Sequence, residues 1–225
     1  MRANSSLVNR RTNYHHSLSI ASKLEKLKNY WGNLKGSCAI GFSGGVDSAF
    51  LLISALKWAG VKIYPVLANS CFVSVEALDQ ARLVGRQIGV DVLEIYWEPL
   101  NIPEIQKNDR LRCYYCKKNL YLAIKSAISK RDRLCDNVFD GTQFDDLFSH
   151  RPGLYALLEL EIQTPLATFG FTKSDIRSIL RKWGFDFWNI PAASCLATQI
   201  QPGTSLTKER LNSINFELKS KKAPF

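Results

Sequence analysis

No apolar run in this 225-residue chain reaches the roughly 18 residues needed to cross a bilayer, which excludes a membrane-spanning helix. Six cysteines are too few for a disulfide-dense secreted scaffold, and the chain is too long to need one. No internal repeat is present. Acidic residues are scarce: 20 Asp and Glu stand against 30 Lys and Arg, a net charge of +10. That balance suits an anionic partner such as a nucleotide or RNA and says nothing about fold. Residues 1–20 hold no acid at all and carry Arg2, Arg10 and Arg11, yet lack the apolar core of a signal peptide. They are expected to form a poorly ordered basic tail, although their Arg and Ser content also resembles a transit peptide. His15 and His16 lie in that tail and make a poor metal site. The expected location is cytoplasmic.

What is present reads as an ordinary globular protein, with 46% hydrophobic and 22% charged residues. Ile20, Leu24, Leu27, Trp31 and Leu34 mark one helix face. Residues 37–42 read as a buried strand, and 49–60 as a helix closed by Gly60. A second strand spans 62–69, where Pro65 suggests an edge or a bulge. A helix over 74–89 is capped by Ser74 and ended by Gly89. Strands follow at 92–97 and 137–141, with helical periodicity over 114–129 between them. Strands alternating with helices predict an α/β fold: a parallel sheet covered by helices on both faces. After residue 150 the pattern becomes mostly helical. A short helix spans 153–160. The next is capped by Thr172 with Asp175 three residues on, has Ile176, Ile179, Leu180 and Trp183 as its stripe, and ends at Gly184. The last, over 207–219, is capped by Thr207. The expected division is 1–20 tail, 21–150 nucleotide-binding domain, and 151–225 helical C-terminal part.

Ser43-Gly44-Gly45-Val46-Asp47-Ser48 joins the first strand to the helix after it. Two glycines allow close backbone approach and positive φ, and the amides of the following helix start point at an anion. Ser43 and Ser48 add hydroxyl donors, and Asp47 can fix the loop or help hold a metal ion. No GxxxxGK(S/T) is present, so this is not a Walker loop.

The loop resembles the pyrophosphatase (PP) loop of the ATP pyrophosphatase superfamily, an adenine nucleotide alpha hydrolase-like fold. Its members adenylylate a substrate oxygen, release pyrophosphate, and let nitrogen or sulfur displace AMP. By that resemblance Ser43, Gly44, Gly45, Asp47 and Ser48 hold the pyrophosphate of ATP. The rest of the chain narrows the likeness. Asn108 and Arg112-Cys113-Tyr114 through Cys116-Lys117 resemble the NxxxRCYxCK stretch of the LarE family of sulfur transferases. Asp140-Gly141-Thr142 with Asp145 and Asp146, then His150-Arg151-Pro152-Gly153-Leu154, resemble its DGTNxDD and RPGL segments. Thr164-Pro165-Leu166, the Thr172-Lys173 helix and Ser194-Cys195-Leu196-Ala197 complete a match from Lys23 to Leu218. The resemblance implies adenylylation of a carboxylate of a pyridinium-3,5-dicarboxylate mononucleotide and its conversion to a thiocarboxylate, in nickel-pincer nucleotide biosynthesis.

For the sulfur, the resemblance offers two chemistries: sacrifice of the Cys195 sulfur, or a [4Fe-4S] cluster on Cys113, Cys116 and Cys195 whose open iron carries sulfide. A tight CxxC pair plus a third, distant thiolate favours the cluster. A zinc or purely structural role is the remaining reading. Cys38, Cys71 and Cys135 border apolar stretches and read as buried, inert thiols. Arg112 and Lys117 are placed near the thiolates and the substrate. Thr142, Asp145 and Asp146 follow the last strand, where carboxylates hold Mg2+ with ATP phosphates or cap a helix. Arg151 is a candidate phosphate donor, and Asn69 and Ser70 are placed beside the adenosine. Two departures from the family pattern stand out. Thr198-Gln199 replaces a segment that usually leads into arginine, and relatives continue past the helix over 207–219 into a basic region that packs between subunits. A homo-oligomer or partner subunit would then complete the substrate site, with Lys219, Lys221 and Lys222 as partial substitutes. The alternatives are a tRNA-thiolating enzyme with the same three-cysteine cluster, although no RNP or KH motif is present, and a non-catalytic nucleotide-binding protein.

Overall fold

The computed structural model describes residues 18–133, 135, 137–149 and 151–220. Residues 1–17 of the expected basic tail, with His15 and His16, and also His150, lie outside the described residues, whereas Ser19 and Ile20 belong to the first helix and not to the tail. Four strands, β1 (Cys38–Gly41), β2 (Ile63–Asn69), β3 (Leu93–Tyr96) and β4 (Asn137–Phe139), form one parallel sheet in the order β3-β2-β1-β4. The main helices are α1 (Ile20–Gly32), α2 (Val46–Trp58), α3 (Val75–Ile88), α4 (Arg112–Ser129), α5 (Gly153–Glu159), α6 (Lys173–Lys182) and α7 (Lys208–Ser220). This is the expected α/β architecture with a helical C-terminal part.

Strand period two sorts the core into layers. Cys38 and Ile40 of β1 and Phe139 of β4 face a cluster built with α1, α2, α3 and α6. Their neighbours Ala39 and Val138 face the other way, onto Tyr121, Ile124 and Ile128 of α4. A third cluster, with Phe72, Ile105, Leu196 and Leu211 in it, seats α7 and the Cys195 segment. Among the described residues no helix is long and apolar enough to cross a membrane.

Local signals set most helix ends. Ser74 Oγ accepts from the Ala77 amide, and Gly89 closes α3 at φ 80°. Thr172 and Asp175 form a reciprocal capping box on α6, and Gly184 follows at φ 81°. Two expectations are corrected. α2 stops at Trp58 because Ala59 turns to an extended conformation, so Gly60 does not close it. β2 is an interior strand, not an edge, despite Pro65. Asn69 O accepts from Trp97 N on the β3 side, so alternate residues back to Pro65 face that side too. Pairing with β3 begins only at Val66, and the missing proline N–H therefore faces no strand.

Candidate active site

The chain runs outward from β1 through β2 to β3, then returns to place β4 on the other side of β1. The strand order reverses between β1 and β4, and crevices for ligands form at such points beyond the carboxyl ends. Residues 43–48 leave β1 there and residues 140–142 leave β4.

Gly44 sits at φ 71°, and a Cβ on it would lie 2.3 Å from Ala81 Cα of α3. Only glycine meets both demands. Ser48 Oγ accepts from the Ser43 amide at 3.2 Å and donates to Gly45 O at 3.0 Å, tying the loop to the first turn of α2. The same turn packs against Gly141, where a Cβ would stand 3.0 Å from Ser48 N. Asp47 is ion-paired to Lys173 Nζ at 2.5 Å, while its other oxygen, Oδ1, is buried without a hydrogen-bond partner. Burial raises the Asp47 carboxyl above the usual range, against the pull of Lys173. Asp145 Oδ2 accepts from the Lys173 amide at 2.9 Å, so this carboxylate caps α6. Asp146 caps its own short helix in a box with Gln143, and Arg151 pairs with it at 2.8 Å. From Lys173 a cleft of about 450 Å3 continues along α6, lined by Arg177, Arg181 and Trp188. The Arg181 guanidinium lies 5.2 Å from the Trp188 ring centre.

On the opposite face of the sheet, Asp140 takes four hydrogen bonds on one buried carboxylate. Lys117 Nζ and Tyr121 OH donate to Oδ2 at 2.6 Å each, and the Thr142 amide and hydroxyl donate to Oδ1 at 2.8 and 2.5 Å. Burial alone would raise this acid; the Lys117 charge and the donated bonds outweigh it and hold it near 2. Gly41 makes room for this arrangement, since a Cβ there would meet Tyr121 OH at 2.5 Å. Lys117 is thereby spent on anchoring α4 to the end of β4. Residues 112 and 113 also prove helical, so Cys113 and Cys116 share one face at i, i+3 spacing in the first turns of α4.

Cys195 reaches that face from far along the chain. Leu196 N donates to Phe72 O at 2.9 Å, and Arg112 Nη1 donates to Ala197 O at 2.7 Å. Arg112 Nη2 also lies 3.3 Å from Cys113 Sγ. Burial pushes the Cys116 thiol up to about 12, with the charges of Cys195 and Cys113 adding to the push. Cys195 meets solvent on one side while protein crowds the other; that crowding raises its thiol, with Arg112 opposing. Among the described residues no three His, Cys, Asp or Glu side chains stand close enough to share one metal ion. A cubane spreads its ligands over separate irons, so three thiolates need not meet at one point to hold it, and Cys113, Cys116 and Cys195 are the residues that could do so. Asp47 Oδ1, buried and unpartnered, likewise fits a Mg2+ that ATP phosphates would share.

Other sequence-picked residues lie elsewhere or are engaged. The Asn69 side chain donates to Glu94 at 2.8 Å, and the buried Ser70 hydroxyl accepts from the Phe72 amide. Of the three thiols expected to be inert, only Cys38 is fully buried. Cys71 is half-buried and donates to Glu98 at 3.3 Å, and Cys135 is half-buried beside Asn137 O. Buried Asp140 and the Asp47 partner Lys173 were not singled out for roles by sequence reasoning. Both lie within recognised segments, and only their long-range contacts reveal them.

No family model matches the chain. It is 30% identical over 195 residues to an uncharacterised protein of Synechocystis sp., covering 87% of this chain and 72% of that one. It is 32% identical over 197 residues to an uncharacterised protein of Methanocaldococcus jannaschii, covering 85% and 73%. The pyridinium-3,5-bisthiocarboxylic acid mononucleotide synthase of Lactiplantibacillus plantarum is 28% identical over 176 residues, 78% of this chain and 63% of that enzyme. The chain belongs to the LarE-type family. In this LarE-type protein the loop after β1 and the cysteine pair of α4 stand at the same sheet end, joined by Asp140, Gly141 and Lys117.

Proposed function

We propose that this protein is an ATP-dependent sulfur transferase of nickel-pincer nucleotide biosynthesis. It adenylylates a carboxylate of a pyridinium-3,5-dicarboxylate mononucleotide and converts it to a thiocarboxylate. The observation that supports the reading is a phosphate-type loop at the sheet end where the Arg112–Cys113 turn of α4 is tied to the Cys195 segment through Ala197 O. The synthase name of the Lactiplantibacillus relative supplies the acceptor class.

In the first step a carboxylate oxygen of the acceptor bonds to the α-phosphorus of ATP, and the bond to the β-phosphate breaks, releasing pyrophosphate. The Ser43 and Ser48 hydroxyls and the loop amides receive the phosphate charge, with Lys173 and Arg177 as the cations beside Asp47. Asp47 would hold Mg2+ through its unpartnered oxygen. In the second step sulfide bonds to the acyl carbon and AMP leaves with the former carboxylate oxygen. Cys113, Cys116 and Cys195 would hold a [4Fe-4S] cluster, which supplies an open iron to carry transferable sulfide. Asp140 keeps Lys117 and the cysteine helix fixed to the end of β4.

Pyrophosphate release from ATP by anaerobically prepared protein tests the reading. Stimulation by the pyridinium dicarboxylate nucleotide, with sulfide and iron in near-equal amounts in the protein, is the expected result. Stimulation by bulk tRNA alone would overturn the acceptor. Loss of sulfur from Cys195 after one turnover would replace the cluster with a sacrificial cysteine.

A further inference from the structure

Asn108 uses every polar atom it has. Its amide N–H bonds Ile105 O at 3.1 Å, and its backbone oxygen accepts from Gly203 N at 2.8 Å. Its side-chain Nδ2 donates toward three carbonyls of one distant loop: Gln201 O at 3.0 Å, Thr204 O at 3.1 Å and Ile200 O at 3.4 Å. Its Oδ1 accepts from Arg112 Nη1 at 2.7 Å. The residue is 2% exposed and sits at φ 55°, a left-handed conformation that Asn tolerates better than other side chains with a Cβ. A second tie runs alongside, from Leu206 N to Gln106 O at 2.8 Å.

This knot joins two segments about ninety residues apart in sequence, one leading into Cys113 and Cys116 and the other following Cys195. On one side Asn108 is four residues before Arg112, which opens the cysteine helix. On the other, residues 200–206 follow Cys195 directly. Among the described residues, two other bonds fix the Cys195 segment to the body, Leu196 N to Phe72 O and Arg112 to Ala197 O. The second of these uses the same Arg112 nitrogen that Asn108 orients.

We propose that Asn108 is a positioning residue that sets Cys195 against Cys113 and Cys116. The inference rests on reading the three thiols as one reaction centre, but its geometry can be tested without sulfur transfer. Asn is required because the position demands two things together: a left-handed backbone, and a side chain that donates outward to carbonyls while accepting from a guanidinium. Asn108→Gly keeps the backbone and removes the side chain. Asn108→Asp keeps the Arg112 contact and turns the three donated bonds into oxygen facing oxygen.

The experiment uses the full chain, stripped of iron and reduced, and treated briefly with dibromobimane, a short reagent that bridges two thiols. Peptide mapping by mass spectrometry then measures bridges containing Cys195 relative to the Cys113–Cys116 bridge within α4. Urea unfolding confirms that each variant is folded. Both variants are expected to lower the Cys195 share at least threefold while the intrahelical bridge is unchanged. An unchanged ratio in folded Asn108→Gly and Asn108→Asp overturns the proposal, as does the absence of any Cys195 bridge in the unaltered protein. Failure of the pyrophosphate assay would sink the proposed function and leave this ratio where it was.

Discussion

Asp140→Asn is the most direct probe of the polar hub beneath the site. The carboxylate accepts from Lys117 and Tyr121 on one oxygen and from the Thr142 amide and hydroxyl on the other. Asparagine offers an oxygen on one side only. Its NH2 must face either the Lys117 ammonium or the Thr142 amide, neither of which can accept. Losing a charge-assisted bond and forcing one donor against another at a 6%-exposed residue should cost about 3 kcal/mol. The loss should also depend on pH. The folded carboxyl lies near 2, below the ordinary 3.8, so its stabilisation is complete above the unfolded value and is lost as pH falls through about 2. The shift corresponds to about 2 kcal/mol at neutral pH, of which roughly half should be gone by pH ~3. Urea unfolding of both proteins at neutral pH and at several acid values measures the gap. A gap below about 1 kcal/mol at neutral pH, or one that stays constant down to pH ~3, would refute the account.

Gly44→Ala should destabilise the fold by at least about 3 kcal/mol, since it strains a left-handed residue and drives a methyl into Ala81; urea midpoints check it. Lys173→Met leaves the Asp47 carboxylate buried without its cation, and pyrophosphate release is expected to fall at least about tenfold while bound iron is unchanged. Asp175→Ala removes the partner of Lys23, which is only 4% exposed, together with half of the α6 capping box, and should cost about 3 kcal/mol; Lys23→Met should cost much less. Cys195→Ser should abolish iron retention, whereas Cys38→Ala, far from the site, should leave it intact.

What could be read from the sequence was what is decided locally. The Thr172–Asp175 box and the Ser74 and Gly89 caps act within a few residues, and each appears where the sequence puts it. The phosphate-type loop was legible for the same reason, being six consecutive residues between a strand and a helix. The site's wiring was not. Arg112 looks like a free cation beside a cysteine, but its main acceptor outside its own turn is Ala197, 85 residues on. Lys173 meets Asp47 across 126 residues, and that pairing follows from how α6 lies on α2. Pro65 misled because proline is excluded only where a partner strand needs its N–H, and β3 starts one residue too late to need it.

The contact between Gly44 and Ala81 gives α3 a second role. That helix bears none of the residues assigned to ATP or sulfur, yet its Ala81 is the wall against which the turn of the phosphate loop is pressed. A bulkier side chain at position 81 would push on the loop from behind, with none of the loop's own polar groups altered. The two positions therefore form one packing unit. Glycine at 44 keeps its tight turn only while 81 stays small, so enlarging Ala81 should disturb the loop from a helix that shares none of its sequence.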